Sequence, residues 1–371
     1  MTTSEVRARA VDFVETRTVD VGNPPHLHLG YVKETGEVWV SNTGGETITV
    51  LDHVEGRSLG EIPVGAGPAH FSFDAGCAVG FIALRDADEV IVIDPRRHKV
   101  LGRVALPPGS GPVATMPAFD RRRVYVLNTI SRTVSAIDTR TASVVATIEV
   151  GGTPLWGQPW GASYKPITKP VGKSYIPGVE TDDLTVFDDR TDRVLHRVKV
   201  GHRPIRNAIF REHGHIYTAN LGDNSVSVVR IADDRVLAAI GVLPGPFRLL
   251  PVAALGNHDE MWVLCSGEAD VSSGGISAID GEALDVSRMV DVVDRPANWV
   301  VNPSRLLFVV SGTDRQMCVY DLPADAMAGG GQLSHDPARN AISGLICTAP
   351  GTLFVLNADA TVSVFRDRNA D

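Results

Sequence analysis

Short apolar runs recur along the chain in pairs, and the second run of each pair ends ten residues after the first. VWVSN stops at Asn42 and ITVLD closes at Asp52; VYVLN stops at Asn128 and VSAID at Asp138; IYTAN stops at Asn220 and VSVVR at Arg230. LLFVVS stops at Ser311 and MCVYD at Asp321; LFVLN stops at Asn357 and VSVFRD at Asp367. Runs of this length, rich in Val, Ile and Thr and bounded by Asn, Asp and Gly, are the pattern of strands joined by tight turns.

A second punctuation precedes each pair: an apolar residue followed four positions later by Pro. It appears as VGNPP (21–25), VGAGP (64–68), PGSGP (108–112), VGGTP (150–154), VGHRP (200–204), VLPGP (242–246) and VVDRP (292–296), with HDPAR (335–339) as a degenerate copy. After each pair comes a polar turn and one more apolar run, such as VLGRVAL or VVATIEV. Each unit therefore reads as four strands, A to D, in about 42–50 residues, the period of a propeller blade. The chain is predicted to be all-β: one β-propeller domain over 1–371, of eight four-stranded blades, or seven if an irregular unit is no blade. The last unit ends after strand C, while AVDFVETRTVDV near the N-terminus is an unattached strand; it should serve as strand D of the last blade and close the array. The stretch LWGQPWGASYKPITKPVGKSYIPG is longer than its counterparts and should carry an extended loop.

Composition changes this picture little. The net charge of −9 argues against nucleic acid or an anionic membrane as a partner. No run approaches the length of a membrane span and the N-terminus lacks a signal-peptide pattern, which points to the cytoplasm. Cys77, Cys265, Cys318 and Cys347 have no metal-type spacing and sit in apolar runs, as buried free thiols do.

The blade pattern VGxxP, VYVxN, VSVID, VxxTIxV, nearest in 124–128, 134–138 and 145–150, resembles the YVTN β-propeller repeat family over most of the chain. That resemblance implies the propeller fold. The family spans surface repeat proteins, lactonase-like enzymes and relatives of the nitrite-reductase propeller, so it fixes no chemistry.

In a propeller the D-to-A and B-to-C loops share one face around the channel mouth, where function gathers. The residues following each Pro should point there: His26 and His28, His70, Trp156 and Trp160, Arg206 and Asn207, Arg248, Asn298 and Trp299, then Arg339 and Asn340. Ala114 and Thr115 bring no chemistry. The B-to-C loops add Arg85, Glu180, Glu268 and the Asn residues closing strand B, which read as turn formers bonding their own backbone.

Arg85, Arg206, Arg248 and Arg339 can fork a carboxylate or phosphate, while Trp156, Trp160 and Trp299, with Asn298 beside them, suit a planar ligand. His26, His28 and His70 form a proton-transfer set with Glu180 and Glu268; they are also a candidate ligand set for a divalent metal, because HxH places two rings on one side of a strand. The structural alternatives are Trp plugging the channel and Arg pairing with channel carboxylates. The leading expectation is an enzyme acting on an anionic, planar or cyclic small molecule by lyase, hydrolase or cyclase chemistry in a biosynthetic pathway. A non-catalytic propeller binding a ligand or a partner protein, and a tetrapyrrole-handling protein, are the alternatives.

Overall fold

The computed structural model describes residues 10–22, 26–74, 77–118, 122–154, 172–252, 258–267, 274–337, 344–349 and 351–369. Every regular element in them is a strand. The chain forms two compact units, Gly65–Pro251 with Glu260–Val290, and Met1–Val64 with Val252–Asp259 and Asp291–Asp371.

The first unit is a series of antiparallel meanders in sequence order. Strands A to D run Pro68–Phe73, Gly80–Leu84, Glu89–Asp94 and Lys99–Ala105 in one sheet, and Pro112–Pro117, Arg123–Asn128, Thr133–Asp138 and Ser143–Glu149 in the next. Strands B to D of the third are Lys173–Gly178, Asp183–Asp188 and Arg193–Lys199; its expected A strand and long loop fall outside the described residues. Pro204–Phe210, His215–Asn220, Ser225–Arg230 and Arg235–Gly241 follow, then Pro246–Pro251, Glu260–Cys265, Gly275–Asp280 and Val286–Val290. Neighbouring sheets approach closely at their A strands and lean apart toward D, so they stack like blades. Burial follows this geometry. Strand B of the second sheet is almost wholly buried, while its D strand, Ser143–Glu149, alternates between exposed and covered positions.

One aromatic ring occupies the same place in strand B of each sheet: Trp39, Phe81, Tyr125, Tyr175, Tyr217, Trp262, Phe308 and Phe354, all essentially inaccessible. Such rings bring the largest apolar area per residue to the contact between sheets, and truncating one costs about 3–5 kcal/mol. Two of the tyrosines also latch sheets together. Tyr125 donates to Asp192 (2.8 Å) and Tyr175 to Asp234 (2.5 Å), each carboxylate standing in the C-to-D turn of the following sheet. Arg123 (3.1 Å) and Lys173 (2.7 Å) pair with the same two carboxylates.

Burial, then the bond to the carboxylate, raises both phenol pKa values above the ordinary 10. A raised folded-state value stabilises below the unfolded value, and the stabilisation is lost as pH rises past it. Unfolding followed from about pH 9 to 11 should therefore show a steep loss of stability. The loss should be shallower in Tyr125→Phe/Tyr175→Phe; identical slopes would refute the assignment.

The Asn closing strand B does not bond its own backbone as expected. Its amide donates across the sheet to two strand-C hydroxyls: Asn42 to Thr47 and Thr49, Asn128 to Thr133 and Ser135, Asn220 to Ser225 and Ser227, Asn357 to Thr361 and Ser363, all within 2.7–3.0 Å. The rung pins the B–C hairpin register, a use of Asn that the repeat shows but cannot explain.

The second unit holds the sheet His26–Val32, Glu37–Asn42, Thr47–Asp52, Ser58–Pro63 and an eight-stranded sheet. In the latter, Val11–Asp20 pairs antiparallel with Thr361–Asp367, Phe13 opposite Asp367 and Asp20 opposite Thr361. The N-terminal strand thus supplies strand D for Leu345–Ala349, Thr352–Leu356 and Thr361–Asp367, as the strand count predicts. A feature not foreseen is its second edge: Val11 and Asp12 pair in parallel with Gly329 and Gly330 of Ala326–Gln332, joining two four-stranded sheets. Phe13 anchors the join among Phe308, Leu353 and Phe365.

Candidate functional site

In the larger unit the D-to-A and B-to-C loops interlace at one end of the sheets. The residue before Pro68, Pro112, Pro204 and Pro246 takes a left-handed φ: Gly67 +68°, Gly111 +59°, Arg203 +53° and Gly245 +72°. That conformation presents its N–H to the preceding sheet's B-to-C loop. Asp88 accepts from Gly111 (2.8 Å), Asp182 from Arg203 (2.9 Å) and the Asn224 side chain from Gly245 (2.9 Å). Gly is favoured there because it adopts positive φ without a Cβ penalty. At Gly67 a Cβ would also stand 2.5 Å from the Asp86 carboxylate.

The turn then delivers the chain into strand A through a register shift. Pro68, Pro112, Pro204 and Pro246 pair with Leu84, Asn128, Asn220 and Cys265. The pairing then slips, so that Ala114, Arg206 and Arg248 face Leu127, Ala219 and Leu264. A bulge re-aims the side chain it carries. The position two residues after Pro is therefore structurally equivalent in each of these sheets: His70, Ala114, Arg206, Arg248. In the smaller unit Asn298 takes it after Pro296, and His26 itself stands where the Pro stands elsewhere, opposite Asn42, which gives the position to His28.

Arg206 and Arg248 lie on adjacent A strands. Each keeps part of its surface exposed while sitting in a crowded, poorly solvated setting. Burial draws the Arg206 guanidinium down to about 10, and burial together with the positive charge of Arg206 holds Arg248 well below its usual range. Like charges placed so are an arrangement that an anion relieves.

His70 is buried at 9% exposure and its Nδ1 accepts the Thr115 N–H at 3.4 Å, which leaves the proton on Nε2. Desolvation pulls its pKa to about 3, so near neutrality the ring is uncharged: a fixed donor or a metal-ligand type rather than a group cycling its proton. Thr115, passed over in the sequence, is the positioning residue; its hydroxyl meets Ser72 (2.8 Å) and the Phe81 carbonyl (3.1 Å).

Two charged candidates serve the loops instead. Glu180 accepts from the Thr153 N–H (2.6 Å) and hydroxyl (2.7 Å), bonds that keep its carboxyl low and ionised. Arg85 forks the carboxylate of its neighbour Asp86 at 2.8 and 3.2 Å. In the smaller unit Asn298 (2% exposed) accepts the Trp299 N–H at 2.9 Å, while its amide Nδ2 is buried without a hydrogen bond among the described residues; Trp299 is 8% exposed. His28 is buried, with its backbone tied to Ser41. Trp156, Trp160, Glu268, Arg339 and Asn340 lie outside the described residues, as does the His26 side chain. Among the described residues no three His, Cys, Asp or Glu side chains converge as a metal site. Burial raises the thiols of Cys265 to about 12 and Cys318 to about 11, which keeps them unreactive.

The meander of blade-like sheets and the repeated turn and bulge together define an all-β protein of the propeller kind. Solved structures agree. The chain is similar to BamB from Moraxella catarrhalis at 13% identity and a TM-score of 0.67, covering 96% of this chain and 100% of that one. It resembles the computationally designed Ika8 protein (12%, TM-score 0.68, 95% and 99%) and the hydrazine synthase of Kuenenia stuttgartiensis (14%, TM-score 0.57, 96% and 99%). Likeness at these identities concerns the fold alone. No family model matches the chain, and no curated protein does. Among the described residues no helix is long and apolar enough to cross a membrane.

Proposed function

We propose that this chain is a small-molecule-binding propeller of the YVTN-repeat type, with eight blades in one domain, whose ligand is an anionic metabolite held by Arg206 and Arg248. The observation that carries the reading is the pair of guanidinium groups at equivalent bulge positions on adjacent A strands. Like charges placed together in a poorly solvated setting favour a carboxylate or phosphate between them, and Arg matches either with a planar fork of donors. His70, on the same register position, adds a neutral N–H donor. The eight-blade count rests on the eight buried strand-B aromatics, and a cytoplasmic location on the sequence pattern.

An enzyme acting on that anion is the second reading. It is favoured by His70 at the same bulge position of its own sheet in that unit, where lyase, hydrolase or cyclase chemistry would use an imidazole as donor. The test is a thermal-shift screen of mono- and dicarboxylates and phosphate esters, with turnover followed by product analysis. A binder present at about a hundredfold its Kd should raise Tm by roughly 3 °C. The shift should vanish in Arg206→Ala and Arg248→Ala. A ligand whose shift survives in the double variant, or a screen with no shift at all, would overturn the proposal.

A further inference from the structure

At the opposite ends of the strands, the Pro204–Gly241 sheet meets the Pro246–Val290 sheet at a junction that departs from its neighbours. The Tyr–Asp latch described above has three parts: a cation at the start of strand B, a Tyr two residues on, and an Asp at the fourth residue after strand C of the next sheet. Arg123, Tyr125 and Asp192 fill them once; Lys173, Tyr175 and Asp234 fill them again. Both Asp residues adopt left-handed φ, +57° and +60°, closing a turn whose N–H returns to the end of strand C. One sheet earlier the parts are apolar throughout: Phe81 has no hydroxyl, and Ala142, at φ +50°, no carboxylate.

The next junction breaks the correspondence. Its first two parts are His215 and Tyr217, but the third is Leu284, at φ +54° and with its N–H on the Asp280 carbonyl as in the other turns. A cation-type residue and a Tyr are retained, and the carboxylate that the fold supplies elsewhere is absent from this chain position.

The groups that would face such a carboxylate remain. Arg211 in the A-to-B turn has Nε and Nη2 buried without a hydrogen bond among the described residues, and so is Nδ1 of His215. His213 stacks on His215 with centroids 5.8 Å apart, and the His215 ring lies 6.4 Å from that of Tyr217. The turn bearing Leu284 packs directly on this hairpin, since a Cβ at Gly281 would stand 2.6 Å from His213 Nε2 and 2.8 Å from Phe210. Glu212 is the acidic neighbour of Arg211, and it is solvent-exposed. Burial presses His215 toward its neutral form, and His213 and Arg230 add to it.

We propose that Arg211 and His215, with Tyr217 behind them, bind the carboxylate group of a small molecule in the place that Asp192 and Asp234 occupy at the other two junctions. The ligand completes the latch and so tightens the contact between the two sheets. This site shares no residue with Arg206 and Arg248.

The test is an acetate titration followed by the imidazole NMR signals of His215, at constant ionic strength and in the Arg206→Ala/Arg248→Ala background so that the first site is silent. Acetate should shift His215 saturably, and Arg211→Ala should weaken binding about tenfold. Leu284→Asp places the missing carboxylate in the chain and should abolish the response while raising Tm. Leu284→Asn relieves the left-handed turn without adding charge, and should leave acetate binding intact. No saturable shift, an undiminished shift in Leu284→Asp, or a His215 response to Zn2+ with none to acetate would each overturn the proposal.

Discussion

Asp234→Ala should lower the stability of the chain by about 3 kcal/mol, one of the two largest losses expected from a single substitution here. Asp234 is 8% exposed and serves three partners: the Tyr175 hydroxyl at 2.5 Å, the Lys173 ammonium at 2.7 Å and His196 Nε2 at 3.0 Å. Removing the carboxylate leaves a fully buried phenol facing a methyl group and a Lys short of its counter-ion. Lys173 retains partial contact with water and a bond to the Ile231 carbonyl, which keeps the loss toward the low end for a broken buried pair. Ala also tolerates a φ of +60° worse than Asp does. Asp234→Asn separates these contributions, because it keeps the turn preference and an acceptor but not the charge; it should lose about half as much. Chemical denaturation of both variants, with Tyr175→Phe as the third corner of a double-mutant cycle, measures the coupling. Additive effects of Tyr175→Phe and Asp234→Ala would show that no latch exists.

The latch marks where the sequence stopped being legible. Strand order, the four-strand unit and the strand-D role of Val11–Asp20 follow from short-range pattern, since apolar period and turn residues are local properties. Tyr175 and Asp234 are 59 residues apart and in different sheets, so no local pattern couples them. The bulge position after each Pro was legible only in part. Counting from the Pro points to His70, Arg206 and Arg248, but it cannot separate His26 from His28, because the choice depends on a register slip that pairs His26 with Asn42. Charge alone also misleads. Glu180 and Arg85 have the chemistry of site residues and stand in the right loops, yet hydrogen bonds to Thr153 and Asp86 commit them to holding those loops in shape. Thr115 shows the converse: a residue without charge or nucleophilic character fixes the tautomer of His70 through its backbone N–H.

Gly329→Val should loosen the N-terminal strand from its parallel neighbour, and its effect should equal or exceed that of Asp234→Ala. The run Gly329, Gly330, Gly331 has no role in a strand pattern, where Gly costs entropy and brings no side chain to pack. The structure explains it by proximity. A Cβ on Gly329 would stand 2.2 Å from the Val11 carbonyl oxygen, on Gly330 2.4 Å from the Met317 carbonyl oxygen, and on Gly331 2.7 Å from the Phe13 carbonyl oxygen. Backbone cannot yield to such contacts as the end of a flexible side chain does, so the two strands must separate. Val11–Gly329 and Asp12–Gly330 pairing would be lost first. Phe13, 2% exposed and edge-on to Phe308 at 4.9 Å, would be drawn from a cluster that includes Leu353 and Phe365. Withdrawing a buried Phe costs about 3–5 kcal/mol. Hydrogen exchange separates the local event from global unfolding: protection should fall first across residues 11–13, while the antiparallel partners of Thr18–Asp20 on Thr361–Asp367 retain theirs. Phe13→Ala should lower the melting temperature comparably with the glycine run intact, which assigns the loss to the anchor rather than to strand flexibility. An unchanged melting temperature and unchanged exchange at residues 11–13 in Gly329→Val would mean that the parallel contact contributes nothing to holding the N-terminal strand.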